Sequence, residues 1–162
     1  MVSVPIPIKT IPEALHRGEG ELPFVPFTEG VVFQLLQVDV EFGLWVVRTK
    51  FEPGVTIQRH RHTGEVYAVT FSGAWKYLEY PETINREFSY LFEPAGSIHT
   101  LTTDINGVSE ITDVWFAVRG ANLNLDGDGN VESILDAGRI LKMYQEGCED
   151  AGCPPPDIIM AR

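Results

Sequence analysis

The stretch GVTIQRHRHTGEVYAVTFSG, which runs from Gly54 to Gly73, decides the fold. Its centre holds His60 and His62, separated by one residue. In a β-strand, residues i and i+2 point to the same face and lie about 6.6 Å apart along the chain. Two such imidazoles can bind one metal ion at nitrogen–metal distances of about 2.1 Å. On a strand, this pair is therefore half of a candidate metal site.

The residues next to the two histidines support this orientation. Arg59 and Arg61 alternate with the histidines and would point to the opposite, solvent-facing side of the same strand. A single His-x-His pair also occurs as ordinary surface sequence, so a metal site needs a further ligand. His99, which directly follows the segment Pro94-Ala-Gly-Ser-Ile, is the candidate third ligand.

The sequence around this stretch predicts short strands. Groups of β-branched and aromatic residues are separated by turn residues such as glycine, proline and asparagine. The predicted strands lie at residues 31–38, 42–51, 56–62, 66–71, 74–80, 87–92, 98–103 and 109–118. This spacing is typical of a sandwich or barrel of antiparallel strands.

The two ends of the chain differ from the strand-rich centre. Residues 1–26 contain five prolines and are predicted to form an arm, with a short helix at residues 12–17. After an Asp-Gly hairpin at residues 123–130, an apolar stripe predicts a helix at residues 133–146, capped by Ser133 and packed outside the barrel. The predicted division of the single domain is an arm at residues 1–30, a barrel core at residues 31–120 and a C-terminal hairpin and helix at residues 121–162.

Composition narrows the classes of function. A chain of 162 residues with 44% hydrophobic residues favours one folded domain. The formal net charge of -11 argues against nucleic acid and against anionic membranes as partners. The N-terminus lacks a secretory signal pattern and no apolar run reaches membrane length, so a cytoplasmic location is expected. Cys148 and Cys153 are expected to be free thiols.

Two motifs give residues 54–103 a family resemblance. Gly54-x5-His60-x-His62 and Pro94-x-Gly96-x2-His99 resemble the two signature motifs of the cupin superfamily. The second motif departs from the family pattern, because it lacks its opening glycine and has Thr103 at its closing asparagine. The resemblance implies an all-β fold, the cupin double-stranded β-helix or jelly-roll barrel, with an N-terminal arm and a C-terminal helix.

The first motif lacks its carboxylate. Cupins normally have a glutamate after three or four further residues, where Val66 or Tyr67 stands here, and Glu65 comes one residue too early. Three histidines without this glutamate resemble the cupin subgroup that includes acetylacetone dioxygenase and 2,4′-dihydroxyacetophenone dioxygenase. The segments GAWKYLEY, FEPAGSIHT and LDGDGNVESILDAG add to the resemblance, which is closer to the second enzyme.

This resemblance implies a function. His60, His62 and His99 would bind Fe(II), although zinc could occupy the same ligands. Glu93, six residues before His99, matches a carboxylate that orients a histidine or water, and Tyr67 is the other predicted catalytic residue. The implied reaction is the cleavage of a carbon–carbon bond by O2 in an aromatic α-hydroxyketone, similar to 2,4′-dihydroxyacetophenone, or in a 1,3-diketone. A homodimer or homotetramer is expected by the same resemblance.

The three histidine ligands agree with this chemistry but leave two alternative functions open. Three neutral imidazoles leave a divalent ion its full charge and up to three open positions, which favours a chelating, anionic substrate. One alternative is a metal-binding sensor or ligand-binding cupin without turnover. Another is a zinc or manganese cupin isomerase of sugar-like substrates, which is disfavoured because the carboxylate ligand is absent and aromatic residues outnumber polar ones.

Several side chains have two interpretations. Glu65 is either a functional residue, as a fourth ligand or a base, or a solvated residue at a strand end, and the solvated position is favoured. Aromatic side chains on strands either line a substrate pocket or belong to the core. The pocket candidates are Tyr67, Trp75, Tyr77 and Trp115.

Overall fold

The computed structural model describes residues 13–160, which contain fourteen strands and one helix joined by turns and loops. The strands are β1 (Val25–Thr28), β2 (Val31–Asp39), β3 (Leu44–Phe51), β4 (His60–His62), β5 (Val66–Ser72), β6 (Ala74–Tyr77), β7 (Asn85–Arg86), β8 (Tyr90–Glu93), β9 (Ile98–His99), β10 (Leu101–Thr102), β11 (Thr112–Arg119), β12 (Asn122–Leu125), β13 (Val131–Leu135) and β14 (Ile159–Met160). The helix, α1, is Ala137–Asp150. The predicted all-β class with a C-terminal helix is confirmed.

The strands form two layers around a common interior. The larger sheet has the order β1-β2-β3-β11-β5-β8, with β14 parallel to β2. The other layer contains the sheets β13-β12-β4-β9 and β10-β6-β7. Side chains from both layers line one interior cavity, as expected for a jelly-roll barrel.

Alternation along the strands separates the cavity from the outer surface. Along β3, Trp45, Val47, Thr49 and Phe51 all line the cavity. The intervening Arg48 lies on the outer side, where its guanidinium pairs with Asp113 of β11 at 2.7 Å. The side-chain period of two therefore decides which residues can reach a bound molecule.

The larger sheet begins inside the predicted arm. β1 pairs with β2, and Pro26 is tolerated because β1 lies at the sheet edge. The helix predicted at residues 12–17 is not formed by residues 13–17, and residues 1–12 lie outside the described part. Arg17 instead forms an ion pair with Asp157 at 2.9 Å, which holds this non-helical segment against the C-terminal tail.

The C-terminal helix starts later than predicted. Ser133 lies in β13, and its hydroxyl accepts a hydrogen bond from Asn124 of β12 at 2.9 Å. The β12–β13 hairpin continues to Leu135, so the residues that suggested a first helical turn pair as a strand. Asp136 is the actual N-cap, because its side chain accepts a hydrogen bond from the Arg139 backbone N–H at 2.8 Å.

The helix packs on the larger sheet near β1 and β2. Tyr144 is fully buried, and its hydroxyl donates a hydrogen bond to the Pro23 carbonyl at 2.7 Å. Cys148 is buried and Cys153 is partly exposed, and both are free thiols as predicted. Regular structure resumes after the prolines at residues 154–156, because β14 pairs with β2. Within residues 13–160, no helix has the length and apolar character needed to cross a bilayer.

We predict that Asp136→Ala destabilises the protein, because the substitution leaves the first helical turn without its cap. The expected cost is about 1 kcal/mol, or a fall in Tm of about 2–4 °C. Asp150→Ala is the matched control: it removes a charge at the other end of α1, where an acidic residue opposes the helix dipole, and should not lower Tm. Thermal unfolding followed by circular dichroism tests this, and equal losses in both variants would contradict it.

Candidate metal centre

Strand pairing brings the three predicted histidine ligands together. β4 carries His60 and His62, both buried, with the exposed Arg61 between them, as the alternation predicted. β9 pairs antiparallel with β4, and in this register His60 lies directly opposite His99. Residues opposite each other in an antiparallel pair share a face of the sheet. The third histidine is therefore placed by backbone register.

The turn of the second motif holds this register in place. The Gly96 backbone N–H donates to the His62 carbonyl at 2.8 Å, and the His62 N–H donates to the Ser97 carbonyl at 3.0 Å. Gly96 has a φ of 88°, a conformation that side-chain-bearing residues rarely adopt. The glycine of this motif is therefore needed for the turn that locks β9 beside β4.

The three imidazoles form a nearly symmetrical cluster. Their ring centroids are 4.8, 4.9 and 4.9 Å apart. One ligand atom from each ring lies within 4.8 Å of the other two, and the Nε2 atoms of His60 and His62 are 3.1 Å apart. The Nδ1 atom of His60 is 2.9 Å from the Gln58 carbonyl, so Nδ1 carries the proton and donates it, and the lone pair of the unprotonated Nε2 is available to bind a metal ion.

The environment of His60 favours its neutral imidazole. Burial, together with the nearby His62, lowers the pKa of His60 to about 4. A metal ligand must be the deprotonated imidazole nitrogen. His60 is therefore ready to bind a cation at neutral pH without first losing a proton.

Glu93 of β8 is the fourth polar group in this cluster. It is 4% exposed, and its Oε2 atom lies 2.9 Å from His62 Nε2 and 3.2 Å from His99 Nε2. Burial opposes ionisation, but the contacts with the two histidines outweigh it and hold the pKa of Glu93 far below its usual value. The carboxylate predicted to orient a histidine does lie beside two of them.

Tyr77 of β6 holds both Glu93 and His99. Its hydroxyl donates a hydrogen bond to Glu93 Oε1, and its ring stacks on His99 with centroids 3.9 Å apart and planes inclined by 15°. Burial and the neighbouring Glu93 raise the pKa of Tyr77 well above its usual value. The phenol therefore stays protonated and acts as a fixed donor.

These groups fit a divalent metal ion. Although they are close, neither Glu93 Oε2 nor His99 Nε2 has an aligned hydrogen-bond partner. Buried polar atoms are normally paired, so convergent unpaired donors are typical of a metal site. His60, His62 and His99 would hold the ion, with Glu93 beside them.

The structure does not bring Tyr67 or Glu65 to the cluster. Tyr67 points away from the cavity, between the buried Val66 and Ala68, and its hydroxyl donates to Glu65 Oε2 at 2.8 Å. Tyr67 also packs against Phe92 on the partly exposed outer face. Both residues thus lie on the side of β5 that faces away from the histidines.

The other aromatic candidates have different locations. Trp75 is a fully buried core residue whose Nε1–H donates to Thr70 at 2.9 Å. Trp115 is half-buried and does not line the cavity. Tyr77 alone among the four pocket candidates lines it. Trp45 and Phe51, which line it on β3, were not predicted, although their spacing on one strand face was a readable signal.

The cavity beside the cluster has a volume of about 270 Å³, near the lower end of the range for small-molecule sites. Its wall is mainly apolar and includes His60, His62 and Glu93. Asn122 of β12 also lines it, opposite His62 in the strand register. The Oδ1 atom of Asn122 is buried without a hydrogen-bond partner.

The sequence from residue 16 to residue 117 matches the family model described as the ChrR cupin-like domain. This span is more than half of the chain. The chain belongs to the ChrR cupin-like family. Comparison with functionally curated proteins gave no match.

Several crystal structures of cupins are similar to the structure of this chain. A protein of unknown function with a cupin-like fold from Ralstonia eutropha JMP134 is 35% identical, with a TM-score of 0.77 over 82% of this chain and 81% of the other. An RmlC-like cupin from the same organism is 24% identical, with a TM-score of 0.84 over 95% and 98%. An acetylacetone dioxygenase from Acinetobacter johnsonii is 17% identical, with a TM-score of 0.72 over 90% and 99%. The latter two show the shared fold.

We predict that His60→Ala, His62→Ala and His99→Ala each abolish stoichiometric metal binding, because each removes one of three convergent donors. His16→Ala is the matched control, since the His16 side chain is 87% exposed. Metal content after Fe(II) or Zn²⁺ loading and desalting measures the effect. A cluster variant that keeps full metal content would remove that histidine from the site.

Proposed function

We propose that this cupin is an Fe(II)-dependent dioxygenase that cleaves a carbon–carbon bond next to the carbonyl of a small ketone, with O2 as the second substrate. The ketone is an aromatic α-hydroxyketone or a 1,3-diketone. The observation that carries the proposal is the convergence of three buried histidine nitrogens, two of which, on His60 and His62, line a small, mainly apolar cavity. Bound Fe(II) would supply the one-electron chemistry with O2 that zinc cannot supply.

The cavity wall favours an uncharged organic molecule. Among the described residues, no lysine or arginine side chain lines the cavity, and Glu93 is its only carboxylate. A substrate carboxylate or phosphate would therefore be buried without a cationic side chain, which is costly. A ketone enters neutral and becomes anionic only when it loses a proton to form its enolate, so it suits both a wall without cationic side chains and a ligand set that favours a chelating anion.

The apolar part of the wall suits an aromatic or branched body. Trp45, Phe51 and Phe116 line the cavity together with aliphatic side chains from both layers. Such a wall excludes water and binds a flat apolar group by contact area. Sugar-like substrates need many hydrogen-bond partners, so this wall argues against the isomerase alternative independently of the ligand set.

Asn122 supplies a polar contact close to the histidines. Because it is opposite His62 in the strand register, its side chain lies on the same face as the ligands. Its buried, unpaired Oδ1 atom can accept a hydrogen bond from a substrate hydroxyl. An α-hydroxyketone has such a hydroxyl next to its carbonyl, whereas a 1,3-diketone does not. Asn122 therefore favours the hydroxyketone.

The second candidate is a metal-binding domain without turnover. The match to the ChrR cupin-like domain leaves this candidate open, because a family relationship does not itself imply catalysis. In this case the cavity would bind a ligand that alters the protein rather than a molecule that the protein converts.

Oxygen uptake separates the two candidates. We expect anaerobically reconstituted Fe(II) protein to consume O2 when supplied with 2-hydroxyacetophenones or 1,3-diketones, with one O2 used per ketone cleaved. Zn²⁺-loaded protein is the matched control and should consume none. Stoichiometric Fe(II) binding without O2 uptake on any member of either class would overturn the dioxygenase proposal and favour the domain without turnover.

We further predict that Asn122→Leu raises the KM for a 2-hydroxyacetophenone about fivefold, the equivalent of one lost hydrogen bond of about 1 kcal/mol. The KM for a 1,3-diketone should change little, so each protein provides its own control. Steady-state oxygen uptake on both substrates measures the ratio. Equal losses on both would contradict the proposed contact and would instead indicate that Asn122 acts on His62, whose Nδ1 also lacks a partner.

A further inference from the structure

We propose that Glu93 is the fourth metal ligand, so that the carboxylate absent from the first motif is supplied by β8 instead of β5. The inference rests on the metal site in the proposed function but not on the proposed reaction. It changes the role expected for Glu93 from orienting a histidine to binding the ion through Oε2.

Strand register places Glu93 where the missing glutamate would reach. Val66, one of the two positions at which the motif expects a carboxylate, pairs directly with Glu93 across β5 and β8. Opposite side chains in an antiparallel pair point to the same face, with Cβ atoms about 4.5–5.5 Å apart. Val66 is 1% exposed, Glu93 is 4% exposed, and both line the cavity. A carboxylate on either strand enters the same interior space.

The distances match those between ligands of one ion. Two donors about 2.1 Å from an ion and at right angles to each other are about 3.0 Å apart. Glu93 Oε2 is 2.9 Å from His62 Nε2 and 3.2 Å from His99 Nε2, and His60 Nε2 is 3.1 Å from His62 Nε2. Glu93 Oε2 is thus at ligand spacing from two of the three histidines, while the ligand atoms that all lie within 4.8 Å of one another are those of the three histidines.

The orientation of the imidazoles relative to Glu93 distinguishes metal binding by the carboxylate from simple hydrogen bonding between the side chains. An imidazole that donated to Glu93 would align its N–H with the carboxylate oxygen. Despite the short distances, Glu93 Oε2 has no aligned donor and His99 Nε2 has no aligned partner. Atoms that are close together but not hydrogen-bonded to one another keep their lone pairs available for a shared ion.

Charge balance points the same way. A buried carboxylate needs a cation or several hydrogen bonds to offset its lost hydration. In the described part of the chain, Glu93 has no lysine or arginine contact, and its side-chain partners are His62, His99 and Tyr77. Tyr77 satisfies Oε1 and leaves Oε2 available. A divalent cation at the cluster would supply the missing positive charge.

Cobalt provides a direct test, because the d–d absorption of Co²⁺ depends on the number and type of its ligands. The chelator-treated full-length protein would be titrated with Co²⁺ in wild type, Glu93→Gln and Tyr77→Phe. We expect Glu93→Gln to change the spectrum and to weaken Co²⁺ binding about 100-fold or more. Tyr77→Phe should keep the wild-type spectrum and lose about tenfold in affinity, since it removes a positioning hydrogen bond only. A wild-type spectrum in Glu93→Gln would overturn the proposal.

A carboxylate exchange tests the cross-strand position. Glu93→Val should bind Co²⁺ as poorly as Glu93→Gln, and adding Val66→Glu to it should restore affinity to within about tenfold of wild type. A double variant that binds Co²⁺ no better than Glu93→Val would contradict the shared position. Circular dichroism would confirm that each variant is folded.

If the Glu93 variants do not fold, the wild-type protein still decides the question. In a crystal structure of the Zn²⁺-loaded protein, a distance of about 2.0–2.2 Å from Glu93 Oε2 to the ion would support ligation, and a distance beyond about 3 Å would overturn it. None of these measurements involves turnover. Failure of this inference therefore leaves the dioxygenase proposal intact, and loss of oxygen uptake leaves the inference intact.

Discussion

The backbone pairing between β4 and β9 is the constraint on which the centre depends. It places His99 opposite His60 although the two residues are 39 positions apart in the chain. Two hydrogen bonds from the second-motif turn to the backbone of His62 hold this pairing, and the turn itself requires glycine at position 96. The side chains add specificity, but the convergence of the three rings is a property of the sheet.

A gradient of polarity follows from this arrangement. At the cluster, four buried polar side chains stand close together, and Tyr77 fixes two of them through a hydrogen bond and a ring stack. Away from the cluster, the wall between the layers becomes largely apolar. A molecule with one polar end and one apolar end is therefore oriented by the cavity before any specific contact is made. At neutral pH the low pKa of His60 keeps its imidazole neutral, and the low pKa of Glu93 keeps its carboxyl group ionised. Both side chains are therefore in the state that binds a cation.

Local signals predicted much of this structure. The period-two alternation placed His60 and His62 inward and Arg61 outward, and the Asp-Gly hairpin lies where the sequence indicated it. The helix began four residues late, because pairing between β12 and β13 overrode an apolar stripe that also fits a strand. Tyr67 was predicted to be catalytic and a candidate for the pocket, yet the alternation along β5 points it outward. Whether a segment pairs as a strand, and which of its faces turns inward, depends on pairing with distant strands, which a single sequence does not specify.

The pairing of Val66 with Glu93 has a consequence for how relatives of this protein are recognised. A motif describes a site along one strand, whereas a sheet is two-dimensional. Adjacent strands are about 4.8 Å apart, so a functional group can move sideways by one strand and keep its depth in the barrel. A search along the sequence then reports a lost residue where the fold retains it. Chains with an incomplete first motif should be compared by cross-strand neighbours before they are assigned a reduced ligand set.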